Sequence, residues 1–131
     1  MKDLIKQKLD KAQDSHDAAR LLYDQHFIEA SINRSYYAMF DIVRTLLFIK
    51  EVFAKTHKGV HAKFHELFIK TGHLPASYAT ILSRTEEMRE RGDYEFTSLL
   101  TEEDALTALN DSQFILEGVK HYLRSQNLLD D

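Results

Sequence analysis

The stretch FIEASINRSYYAMFDIVRTLLFIKEVFA, Phe27 to Ala54, decides the fold. It contains neither glycine nor proline, and wound as one helix it would run about 42 Å. Placed at about 100° per residue, Ile28, Ile32, Tyr36, Met39, Phe40, Val43, Leu46 and Leu47 share one face. Ser35, Ala38, Ile42, Ile49 and Phe53 widen that face beyond half the circumference. A helix this apolar is packed on several sides, which makes it the centre of a bundle. The remaining sector carries Asn33, Arg34, Tyr37, Asp41, Arg44 and Thr45, and has no Lys or Glu until Lys50. Solvated helix faces are rich in Lys and Glu, so this sector reads as a structured polar surface.

The rest of the chain agrees with a helical protein. Four glycines and one proline in 131 residues leave few turns, and the length suits a single domain, residues 1–131, with a real core. Cysteine is absent, so neither a disulfide framework nor a thiolate metal site can form. Arg44, Lys50 and Glu51 interrupt the longest apolar run, which excludes a membrane span there. The opening MKDLIKQKLDKAQDS has no apolar signal core, so cytoplasmic residence is expected. A net charge of −4, without any Lys/Arg run, gives no general attraction to duplex DNA. Recognition of one phosphate by two or three arginines is compatible with it.

Taken in order, the first helix is expected over Lys2 to Asp24, buried through Leu4, Ile5, Leu9, Ala12, Ala19 and Leu22. A tight turn at Gln25-His26 leads into the central helix. Lys55 to Gly59 reads as a turn, followed by a helix from Val60 to Thr71 with Val60, Phe64, Leu67 and Phe68 as its stripe. Gly72 and Pro75 bracket a loop. A fourth helix is expected from Pro75 to Arg91, buried through Tyr78, Ile81, Leu82, Thr85 and Met88, with the pattern broken from Gly92 to Phe96. Thr101-Glu102-Glu103-Asp104 is a helix-capping signature, and a last helix runs to Asn127. The fold class is therefore all-α: an antiparallel, up-and-down bundle of four to five helices.

Arg89 is the most informative single residue. It falls within about 20° of Tyr78 and Leu82 on the helical wheel, while Glu86, Glu87, Glu90 and Arg91 can face water. An inward guanidinium needs an acidic or phosphate partner. Asp41 and Asp93 are the candidate structural partners, and a bound phosphate is the functional alternative. Asn33, Arg34, Tyr37, Asp41 and Arg44 form a second candidate surface, for a ligand or another subunit. His57, His61 and His65 recur every four residues, and His61 with His65 could share a face as metal ligands do. No zincin carboxylate accompanies them, Gly59 weakens a helix through His57, and no metal or cofactor is expected. His57 alone suits proton transfer. No Gly-rich phosphate loop or nucleophile elbow occurs.

Several of these residues form a recognisable series. Asn33-Arg34-Ser35-Tyr36-Tyr37-Ala38-Met39-Phe40, His57-Lys58-Gly59-Val60, Phe68-Ile69-Lys70-Thr71-Gly72 and Arg89 with Asp93-Tyr94 resemble the HEPN superfamily, in its small single-domain prokaryotic branch. The resemblance covers nearly the whole chain in order. It implies a helical bundle that pairs into a homodimer. It also implies metal-independent RNase activity in toxin–antitoxin or defence modules, with a minimal nucleotidyltransferase as the frequent partner. The catalytic signature in that family is an arginine followed, after four to six residues, by a histidine. Arg89 stands in the arginine's place, but Tyr94 occupies the histidine's. Arg20 and His26 have the spacing, yet they sit at the end of the first helix, the wrong place.

Two functional readings follow. In the first, Arg89, Arg34 and Arg44 contact phosphate of RNA or a nucleotide, Asn33, Asp41 and Asp93 support them, and Tyr37, His57 and Tyr94 supply hydrogen bonds or proton transfer. In the second, the polar cluster is structural and the protein is a non-catalytic dimerisation or partner-binding module.

Overall fold

Five α-helices follow one another in the computed structural model, which describes residues 1–94 and 99–131. They are α1 (Lys2–Asp24), α2 (Ile28–Ile49), α3 (His57–Phe64), α4 (Ala76–Tyr94) and α5 (Glu102–Ser125), with a π-helical turn, His65–Ile69, continuing α3. Among the described residues there is no strand. The helix α2 packs against α1, α3, α4 and α5, so the stretch read as the bundle's centre is the centre. Its Ile32, Tyr36, Met39, Ile42 and Leu46 are fully buried. At α1, Ile5, Leu9, Ala12 and Ala19 face inward as expected, but Leu4 is exposed and His16 is buried in its stead.

The end of α2 departs from expectation: the helix stops at Ile49, not Ala54. Glu51 turns left-handed (φ 58°), Val52 N–H bonds to Leu47 C=O at 2.9 Å, and Glu51 N–H bonds to Phe48 C=O at 2.9 Å. This is a Schellman stop with glutamate where glycine usually sits, which is why no residue type announced it. The same motif ends α1 at His26 (φ 66°) and α5 at Asn127 (φ 58°).

Of the segment expected as a turn, Lys55 to Gly59, only Lys55 and Thr56 bend; His57 to Gly59 begin α3. Thr56 is its N-cap, and its side chain accepts from Gly59 N–H at 2.9 Å. That cap offsets the helix penalty of Gly59 and sets His57 and His61 one turn apart. The helix α4 runs through Gly92 to Tyr94 without the expected break; Glu95 and Phe96 lie outside the described residues. Gly92 serves close packing here: a Cβ on it would lie 3.0 Å from the Glu29 side chain. Gly118 does the same on α5, where a Cβ would overlap the hydroxyl of Tyr78. The capping box at Thr101 and Asp104 forms as its sequence indicates.

Candidate functional site

Three helices converge on Tyr36. From α2 come Asn33, Tyr36, Tyr37 and Phe40, at the i, i+3, i+4 and i+7 positions of one face. From α3 come His57 and His61; from α4 come Glu86, Arg89, Glu90 and Asp93. The Tyr36 hydroxyl lies 2.8 Å from His57 Nδ1 and 3.1 Å from His61 Nε2. The two oxygens of Glu86 face the same two nitrogens, Oε1 3.5 Å from His57 Nδ1 and Oε2 3.2 Å from His61 Nε2.

Protonation follows from this geometry. Burial, then the nearby Glu86 charge, push the Tyr36 phenol far above its ordinary range, so it keeps its proton. A carboxylate only accepts, so the Glu86 charge would favour an N–H on each nitrogen that faces it. In that tautomer His57 would carry its proton on Nδ1 and its bare lone pair on Nε2, in a ring 36% exposed. That ring is further held by stacking on Phe40, 4.2 Å between centroids. At His61, burial lowers the pKa most and His57 adds to it, against an opposing pull from Glu86.

Arg89 completes the cluster from the α4 side. Its side chain is 10% exposed. Nη1 donates to Asp93 Oδ2 at 2.9 Å, and Nη2 lies 4.0 Å from Glu86 Oε1 and 3.8 Å from Glu90 Oε1. The guanidinium sits 5.2 Å from the Tyr36 ring and 5.6 Å from the Tyr37 ring. Burial would lower its pKa, but Tyr37 and Asp93 outweigh that and raise it. Its Nε is buried without a hydrogen-bond partner. Thus Arg89 and His57 both approach one oxygen, Glu86 Oε1.

The residues expected from sequence are divided by the fold. His57, Arg89, Tyr37 and Asp93 belong to this cluster, and Asn33 joins through Nδ2, 3.5 Å from Asp93 Oδ2. Arg34 stacks on Tyr37 at 5.3 Å. Tyr94 is 79% exposed and lines an open cleft with Glu87, Glu90 and Arg91; of these, Glu90 also contacts Arg89. Asp41 and Arg44 line a different cavity, next to α1. Tyr36 and Glu86 were missed, one read as core and the other as facing water. The i, i+4 pair of His57 and His61, opposite the i, i+3 pair of Glu86 and Arg89, is the signal that could have found them. His65 is exposed, so the histidines that meet are His57 and His61, not His61 and His65. Among the described residues, no group of three or more His, Asp or Glu side chains is arranged to hold a metal ion.

An all-α bundle with an arginine and a histidine gathered at one tyrosine is the class of protein this geometry defines. The chain belongs to the HEPN domain family, whose model matches residues 5–122. It is 33% identical to the Methanocaldococcus jannaschii protein named "Putative toxin MJ0142" over 125 residues, 95% of this chain and 85% of that protein. It is 26% identical to a second protein of that organism, "Putative toxin MJ0605", over 95% of this chain and 92% of the other. A Thermotoga maritima protein of the group named UPF0332 is 30% identical over 84% of this chain and 83% of its own length. Among the described residues, no helix is long and apolar enough to cross a membrane.

Proposed function

We propose that this HEPN protein acts on RNA in a toxin–antitoxin or defence module, as a homodimer with a nucleotidyltransferase partner, and that it cleaves without metal. The toxin names of its relatives support the setting. The observation that carries the chemistry is the approach of His57 and Arg89 to a single oxygen of Glu86. In this reading, His57 Nε2 removes the proton of a ribose 2′-hydroxyl. The oxygen so freed bonds to the adjacent phosphorus, the P–O5′ bond breaks, the leaving oxygen takes a proton from water, and the imidazolium returns its own to solvent. The products are a 2′,3′-cyclic phosphate and a 5′-hydroxyl. Arg89 stabilises the charge gathering on phosphorus. Glu86 and Tyr36 hold the imidazole in the tautomer that leaves Nε2 basic, as a buried carboxylate does in other histidine dyads.

The test is incubation of purified protein with total RNA in EDTA, comparing wild type, Arg89→Ala and His57→Ala, with folding checked by circular dichroism. Cleavage by wild type alone, leaving cyclic phosphate ends, is expected. Equal cleavage by wild type and His57→Ala would remove the histidine from the mechanism.

A second reading has its own observation. Asp93 holds Arg89 at 2.9 Å, the structural partner that the sequence offered. A guanidinium so engaged also suits a non-catalytic dimerisation or partner-binding module, in which it fastens α4 to α2. Absence of cleavage by every form, with unfolding on Arg89→Ala, would favour that module.

A further inference from the structure

Beside α1 lies a cavity of about 160 Å³ lined by Lys8 and Lys11 from α1, Asp41, Arg44 and Phe48 from α2, and Phe53 beyond the Schellman stop, among others. Three cations and one carboxylate give it a positive balance in a chain whose net charge is −4. Among the described residues, none of the three cations has a carboxylate within ion-pair distance. Lys8 Nζ is held 4.6 Å over the Phe48 ring, and the Arg44 guanidinium lies 5.8 Å from the Phe40 ring. Phe53 is 81% exposed.

We propose that this cavity is a subsite for a phosphate of single-stranded RNA, with the neighbouring base stacked on Phe53. Its size decides the ligand's form: pockets for whole organic ligands run about 300–1,000 Å³, so this one takes a group of a larger molecule. Unpaired lysines and an arginine supply what a phosphate needs. An exposed aromatic ring at the rim is the second half of the single-strand signature, since every base offers a face to stack. Position supplies the third argument. Phe40, which Arg44 approaches at 5.8 Å, is the ring that stacks on His57 at 4.2 Å, so the cavity and the proposed proton acceptor flank one side chain. Phe40 itself is buried, so a strand would run over the surface above it, past exposed Arg44, to reach both. The inference rests on the RNA reading above and adds where the chain beyond the cleaved bond is held.

The test is fluorescence anisotropy with a labelled twelve-residue oligouridylate in EDTA at several salt concentrations. The proteins are wild type, Lys8→Gln/Lys11→Gln and Phe53→Ala, each shown folded by thermal melting. The lysine pair is expected to weaken binding and to flatten the slope of log K against log salt by about 0.7, the increment for one phosphate on a single strand. Phe53→Ala is expected to weaken binding about tenfold with the slope unchanged. If wild type binds and both variants match it in affinity and slope, the subsite is wrong while the RNA reading stands. If wild type binds no RNA, the RNA reading fails. Uridine monophosphate is then titrated while the amide resonances of Lys8, Arg44 and Phe53 are followed by NMR. Shifts confined to these residues would make the cavity a mononucleotide site and overturn the strand assignment; no shifts would overturn the phosphate site altogether.

Discussion

Of the histidines that rest on hydroxyl groups, His16 and His57 sit in opposite surroundings. His16 of α1 is buried, with Nδ1 2.5 Å from Ser112 Oγ on α5. Ser112 donates its one proton to Leu109 C=O at 2.9 Å, so the imidazole must donate to it, and the chain of bonds ends in backbone. His57 also rests on a hydroxyl, that of Tyr36, but this one is shared with His61 and faced by a carboxylate, and the neighbouring Arg89 makes three acidic contacts. The first arrangement is closed and has no charge to offer. The second is open on one side, charged, and has more donors than its acceptors settle. Burial with a hydroxyl partner therefore does not set His57 apart; its charged surround, which reaches solvent, does.

The comparison makes predictions of graded size. The largest is kinetic: His57→Ala should lower the rate of RNA cleavage about 10²- to 10⁴-fold, while His16→Gln leaves it unchanged. Equal losses at both positions in an oligonucleotide cleavage assay would erase the distinction. Next is Arg89→Ala, which leaves Asp93 and Glu86 without their cation and should cost about 3 kcal/mol in urea unfolding. Arg89→Lys keeps the charge but loses the planar group beside both tyrosine rings, and should recover only part of the loss. Smaller again is His16→Ala, where the emptied space and the unfilled Ser112 bond should cost about 2 kcal/mol.

The last prediction concerns pH. Burial, and for His16 also Arg20, hold the His16 and His61 pKa values below the ordinary 6.5. As pH falls through 6.5, the unfolded chain therefore binds protons that the folded one refuses, and stability drops. It is fully present above that pH and is lost progressively below it. Urea midpoints at pH 7.5 and pH 5 should show the fall, and His16→Gln should shrink it.

Much of this was legible in the sequence, and the failures have physical causes. The bounds of α1, the central place of α2 and the cap at Thr101 follow from periodicity and side-chain chemistry that act locally. The stop after Ile49 does not, because Glu51 takes a left-handed conformation that its residue type disfavours and backbone bonds to Leu47 and Phe48 enforce. The start of α3 was hidden because Gly59 counts against a helix unless its N–H is known to reach Thr56. Gly92 looked like a break because its use, clearance for Glu29, is a contact 63 positions away in sequence. At the site, the inward aim of Arg89 was readable from helical spacing, and so was Asp93 as its partner. Glu86 was not: on the wheel it can face water, and only the approach of α3 turns it toward two imidazoles. Periodicity places Tyr36 in the core, which is where its ring lies; its hydroxyl is the part that meets both imidazoles.

The account turns on the tautomer of His57, and long-range ¹H–¹⁵N correlation NMR on uniformly labelled protein reads it directly. The spectrum at neutral pH should show neutral His57 protonated on Nδ1, as His16 is, with Glu86→Gln disturbing His57 and His61 while leaving His16 untouched. Neutral His57 protonated on Nε2 would leave no lone pair facing outward, and would contradict the role given to the Tyr36 cluster.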